Sequence, residues 1–167
     1  SYPFPAIGMS RFVQVLSLQM AQMEAGQVFS HVSTVDLSRI RRFVLDSAAA
    51  GGGDPRAIDE LVVAVNEAVV NILRHAYRNV PGEIELSIDC SVESIVVILL
   101  DNGPPFDPTS VRSPDTTLPL AERPFGGMGV HLMREFCDEL RYRRDPAGRN
   151  ELTMLKRFGP QEEKEPD

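Results

Sequence analysis

The sequence predicts a single α+β domain, and three stretches carry that expectation. Residues 55–77 place Ile58, Leu61, Val62, Val65, Val69, Ile72 and Ala76 on one stripe at helical spacing, which reads as a core helix. Residues 83–89 alternate Ile84, Leu86 and Ile88 with Glu83, Glu85, Ser87 and Asp89, the period of a half-buried strand. Residues 95–100 are apolar without interruption and suit a central strand. A chain of 167 residues, 43% hydrophobic and 25% charged, can build one such core but has no room for a second full domain.

The remaining elements follow in order. Residues 1–9, with Pro3 and Pro5, read as an extended lead-in. A helix over residues 10–25 lines up Phe12, Leu16, Met20 and Met23 as a packing or dimer surface. A short strand at 27–33 precedes a helix through Leu37, Ile40, Phe43, Val44 and Ala48, which Gly51-Gly52-Gly53-Asp54-Pro55 stops. Residues 103–129 contain Pro104, Pro105, Pro108, Pro114, Pro119 and Pro124, too many for a long regular element, so this stretch reads as a lid or binding loop. Val130, Met133, Phe136, Cys137 and Leu140 restore helical spacing. Strands near 139–144 and 151–158 then form a hairpin about Asp145-Pro146-Ala147-Gly148. The resulting division is an amino-terminal extension (1–26), a folded domain (27–158) and an acidic, disordered tail (159–167).

A net charge of −7 and a pI near 5.0 argue against direct nucleic-acid binding, which needs clustered Lys and Arg. A role in transcription would therefore run through a protein partner. Cys90 and Cys137 lack C-x-x-C spacing and no secretory pattern opens the sequence, so the expectation is a reducing, cytoplasmic setting. No apolar run approaches the roughly 18 residues that a spanning helix needs, and membrane insertion is not expected.

Three short motifs carry the chemistry. Glu67 and Asn71, four apart on the 55–77 helix, project from the same face, opposite the apolar stripe. Alone, such a pair is solvated surface; as a site, Asn71 offers Mg²⁺ a neutral oxygen and Glu67 a carboxylate that can take a nucleophile's proton. Asp101-Asn102-Gly103-Pro104-Pro105-Phe106 follows the central strand. It is either turn chemistry or a carboxylate placed to accept from an exocyclic amine such as adenine's, with Gly103 letting a flat ring approach the backbone. Phe125-Gly126-Gly127-Met128-Gly129 runs into the next helix, where exposed N–H groups and the helix dipole suit phosphate. It fits neither G-x-G-x-x-G nor the P-loop pattern.

Together these motifs resemble those of the GHKL nucleotide-binding superfamily. Residues 67–77, E-A-V-V-N-I-L-R-H-A-Y, are similar to its N-box in the form found in anti-sigma factor serine kinases. Asp101-x-Gly103-x-Pro105-Phe106-Asp107 resembles the G1 box, and Gly126-Gly127-Met128-Gly129-Val130-His131-Leu132 the G2 box. The resemblance implies a Bergerat-type α+β two-layer sandwich, a mixed, mostly antiparallel sheet covered on one face by helices. It implies ATP and Mg²⁺ as cofactors, with Glu67 as general base, Asn71 on Mg²⁺, Asp101 on the adenine amine, Gly103 beside the ring, and Gly127 and Gly129 at the phosphates. His75, Phe106, Gly126, Met128, Val130 and Thr153 complete the implied nucleotide-binding set. Arg74, Arg112, Arg123 and Lys156 are further candidates for phosphate or partner contacts.

The implied activity is that of a serine/threonine-protein kinase, in which an anti-sigma regulator phosphorylates a STAS-domain anti-anti-sigma factor and/or, as a homodimer, sequesters a sigma factor. The alternative is a nucleotide-dependent protein-binding module without kinase activity.

Overall fold

The computed structural model describes residues 25–112, 117 and 128–159. Its strands are β1 (Ala25–Val32), β2 (Gly82–Cys90), β3 (Ser94–Asp101), β4 (Glu139–Arg144) and β5 (Asn150–Arg157). Its α-helices are α1 (Leu37–Ala50), α2 (Pro55–Asn71) and α3 (Met128–Phe136). The expected helix at 10–25, the tail at 160–167, and Gly126 and Gly127 lie outside the described residues.

Local chemistry starts the main helix. The Asp54 side chain accepts from the Ala57 N–H at 3.0 Å, and Pro55 takes the first helical position, where a missing N–H costs nothing. The stripe foreseen on α2 is buried as Ile58, Leu61, Val65 and Val69, with Ala57, Ala64 and Ala68 letting neighbours approach closely. After Asn71 the helix widens into a π-turn over Ile72–Ala76, closed by the Tyr77 N–H donating to Ile72 O at 3.0 Å.

The strands form one sheet in the order β1-β2-β3-β5-β4, and every neighbouring pair among the described residues is antiparallel. The mixed sheet implied by the motifs is thus corrected to an antiparallel one. Hairpins join β2 to β3 and β4 to β5, and α3 returns the chain so that β5 lies against β3. Ile84, Leu86, Ile88, Ile95, Val97, Leu99, Leu152 and Met154 share one sheet face and pack against buried residues of all three helices.

One helix boundary differs. The helix expected to reach Leu140 ends at Phe136, because the Asp138 N–H donates to Leu155 O at 2.8 Å and hands the chain to the sheet. Leu140 then sits in β4 opposite Met154. Among the described residues, no helix is long and apolar enough to cross a membrane.

Leu61 is fully buried while Val63, two residues on, is 40% exposed. Urea unfolding should show Leu61→Ala losing about 2–5 kcal/mol and Val63→Ala changing stability by less than about 1 kcal/mol.

Candidate functional site

The site gathers where β3, β5, α2 and α3 meet. Asp101, the last residue of β3, pairs in register with Asn150, the first of β5, and both are buried. Asn150 Nδ2 donates to Asp101 Oδ1 at 2.8 Å, to Gly103 O at 3.1 Å and to Pro104 O at 3.0 Å. Its Oδ1 accepts from the Tyr142 hydroxyl at 2.7 Å and from Arg144 Nη1 at 3.0 Å. One amide therefore joins the strand end, the following loop and the last hairpin. The Gly103 N–H also donates to Asp101 Oδ1 at 2.9 Å. Both bonds fall on Oδ1 and fix the carboxylate's orientation; among the described residues no hydrogen bond falls on Oδ2.

Burial raises the Asp101 carboxyl above its ordinary 3.8, while hydrogen bonds from Asn150 and Gly103 and the charge of Arg144 pull it back in part. A carboxyl raised in the folded state favours folding when protonated. Its contribution to stability is thus complete below about pH 3.8 and is lost as pH rises through the folded value. At neutral pH the chain bears a cost to hold this carboxylate ionised, which is the condition for accepting an N–H donor.

Gly103 has a physical reason different from the one its sequence position suggests. A Cβ there would lie 2.4 Å from Ala76 Cβ and 3.0 Å from Ala76 backbone atoms, so the loop can seat on the π-turn only as glycine. On the same turn the His75 ring stacks on Phe106, with centroids 4.4 Å apart and planes 17° apart. The His75 imidazole titrates below its ordinary 6.5, chiefly through burial and secondarily through Arg74. Tyr77 closes the turn: its hydroxyl donates to Glu83 O at 2.5 Å and accepts from the Asn102 N–H at 3.0 Å.

Asn71 and Asp101 line one cavity, together with Ala68, Ile72, Phe106, Met133, Tyr142, Asn150 and Leu152. Its volume of about 20 Å³ is room for a water or two. Glu67 and Asn71, read from the sequence either as solvated surface or as part of a site, are half-buried where α3 packs on α2. Asn71 Nδ2 is buried with no hydrogen-bond partner among the described residues. Such an orphan costs about 1–3 kcal/mol, and an amide's N and O can exchange by rotation, so the group is suited to an oxygen or a cation brought by a ligand. Glu67 reaches the first turn of α3, where a Cβ on Gly129 would lie 2.7 Å from Glu67 Oε2.

Other site residues part company with their expected places. Thr153 pairs with Ile98 and faces the side of the sheet away from the helices, so its hydroxyl is not at the cavity. Val130 is in the core and Met128 is exposed at the start of α3. Lys156 pairs with Glu60 at 2.5 Å; Glu60 lies 11 residues before Asn71, about 16 Å along the helix. Arg74 and Arg112 are exposed, and Arg123 lies outside the described residues.

Sequence reasoning missed Asn150, Tyr142 and Arg134. Arg134 of α3 donates to Thr109 O at 2.8 Å and Val111 O at 2.7 Å, pinning the root of the proline-rich loop. The Asp107 side chain shapes the same root by accepting from the Thr109 N–H at 2.8 Å. Spacing gives no signal for these residues, because each acts across the fold.

Removing the Asn150 amide takes away a bond that lowers the Asp101 carboxyl. Carbon-detected NMR titration should find Asp101 above 3.8 in the parent and higher still in Asn150→Ala; an unchanged value would refute the clamp.

Known proteins bear on this geometry. The family described as histidine kinase-like ATPase domain matches residues 32–156. The serine-protein kinase RsbW of Bacillus cereus is 28% identical over 102 residues, which cover 59% of this chain and 61% of that protein. The chain thus spans about three-fifths of the length of these relatives. The serine/threonine-protein kinase BtrW of Bordetella bronchiseptica is 33% identical over 102 residues, 60% of this chain and 71% of that one. A chain in the crystal structure of the SiaB-SiaC complex from Pseudomonas aeruginosa shares the fold at a TM-score of 0.51 and 12% identity, covering 90% of this chain and 99% of its own. With three-quarters of its length matched, and with an oriented strand-end carboxylate and a buried helix amide lining one cavity, the chain belongs to the histidine kinase-like ATPase domain family, of GHKL fold.

Proposed function

We propose that this domain binds ATP with Mg²⁺ and transfers the γ-phosphoryl group to a serine of a partner protein, as an anti-sigma regulatory kinase. The observation that carries the reading is the pairing of Asp101 Oδ2, open to a donor, with the unpartnered Asn71 amide on the same cavity. An adenine whose exocyclic amine donates to Asp101 would direct its phosphates toward Asn71 and the glycines that precede α3. The cavity is too small for the ring as it stands, so Phe106 and its loop would move off His75 to admit it.

The donor set near Asn71 fits a magnesium ion that takes most ligands from phosphate and water. Among the described residues, no group of three or more His, Cys, Asp or Glu is placed to hold a metal, and Asn71 supplies one neutral oxygen. When bound, the ion would offset the charge gathering between the β- and γ-phosphates. Glu67 of α2, which lies against Gly129 at the start of α3, would take the serine proton as the serine oxygen bonds to phosphorus and ADP leaves. The kinase names of the RsbW and BtrW relatives support this activity. A STAS-domain protein as acceptor, a sigma factor as second partner and a homodimer are part of the same proposal.

Phosphotransfer to a purified STAS-domain partner, followed with radiolabelled ATP, tests the assignment. Glu67→Gln should keep ATP affinity within about threefold and lose about 10²–10⁴-fold in rate. Asn71→Ala should weaken ATP binding at least about tenfold in Mg²⁺ and much less in EDTA. Transfer by Glu67→Gln at the parent rate would remove Glu67 as the base.

A further inference from the structure

The β2–β3 ladder stops at Asp101, and a side chain stands where its next rung would be. Ile84 pairs with Asp101, so by the same register Glu83 lies opposite Asn102. A ladder continued by one rung would have the Asn102 N–H donating to Glu83 O. The Tyr77 hydroxyl takes both groups instead, accepting from the Asn102 N–H at 3.0 Å and donating to Glu83 O at 2.5 Å. Its ring is seated against Gly82, where a Cβ would lie 2.4 to 2.5 Å from three ring atoms, so only glycine leaves room. Burial is the main reason that the hydroxyl titrates above its ordinary 10.0, so it remains a donor throughout the neutral range.

The wedge acts at the point that matters for the site. With Asn102 held off β2, the chain leaves the sheet directly after Asp101; Gly103 then seats on Ala76 and returns its N–H to Asp101 Oδ1 at 2.9 Å. Tyr77 is itself fixed by the π-turn, its N–H donating to Ile72 O at 3.0 Å, and Asn71 stands at the head of that turn. The short piece of chain from Asn71 to Tyr77 therefore lines the cavity at one end and holds the root of the Asp101 loop at the other. We propose, resting on the ATP reading above, that Tyr77 is a positioning residue for base recognition: its hydroxyl, wedged between β2 and β3, sets where the chain leaves the sheet and so fixes the Asp101 carboxylate relative to Asn71. Tyr77 touches neither base nor phosphate and acts through Asp101. Without the hydroxyl, Glu83 and Asn102 are free to pair directly, which draws the chain after Asp101 back toward β2 and off Ala76. Tyr77→Phe isolates this effect, because it keeps the ring on Gly82 and removes the hydroxyl alone.

Calorimetric titration of the full chain with ATP and with ITP in Mg²⁺, parent against Tyr77→Phe, tests this; the base of ITP carries an oxygen in place of the amine. ATP should bind the variant at least about tenfold more weakly, ITP should change by less than about twofold, and the preference for ATP should collapse toward equality. A hydroxyl that served stability alone would leave that preference in place, as Val44→Ala in the core of α1 should. Amide exchange in the parent gives a reading that needs no variant: the Asn102 N–H should exchange at least about tenfold more slowly than in an unstructured peptide. A Tyr77→Phe chain that keeps the parent's preference for ATP, or an unprotected Asn102 amide in the parent, would overturn the proposal and leave the ATP reading standing. A parent that does not bind ATP would overturn that reading, and the proposal with it.

Discussion

The candidate site depends on one buried amide. Asn150 spends its Nδ2 on Asp101, Gly103 and Pro104 and its Oδ1 on Tyr142 and Arg144, so the end of β3, the loop after it and the β4–β5 hairpin are held by a single side chain. In a buried setting such a network is stiff when every member is satisfied and costly when one is removed. Here it fixes one oxygen of Asp101 and leaves the other, which turns a carboxylate at a strand end into an oriented acceptor. The raised Asp101 carboxyl is the cost of that arrangement, and the hydrogen bonds of Asn150 and Gly103 keep the cost within reach.

The fold supplies the opposite wall. The π-turn at the end of α2 presents His75 to Phe106 and Ala76 to Gly103, so the loop after β3 closes over the cavity by aromatic stacking on one side and backbone contact on the other. Arg134 then ties that loop to α3, the helix that also covers Glu67 and Asn71. Helix, loop and cavity are mechanically one unit.

Much of this was legible in the sequence because periodicity reports burial. The stripe on α2, the alternation in β2 and the uninterrupted run in β3 each marked a real element, and the Gly51–Pro55 stretch was read as a helix stop. Of the motif residues, Asn71 and Asp101 line one cavity, and Glu67, one turn before Asn71, lies against Gly129 of α3. Pairing across the fold was not legible. Strand order, the cover of α3 over Glu67, the orientation of Thr153 away from the cavity and the clamp by Asn150 all follow from register, which no local window contains. The same holds for Lys156, whose position on the last strand suggested a phosphate contact and whose partner is Glu60.

The central claim is that Asp101, clamped by Asn150, recognises the amine of an adenine ring. Calorimetric titration of the full chain with ATP and with ITP in Mg²⁺ tests it most directly, because inosine carries an oxygen where adenine carries the amine. Facing a buried carboxylate with an acceptor leaves it unpaired, so ITP should bind at least about tenfold more weakly than ATP. Equal affinities for the two nucleotides would contradict the account.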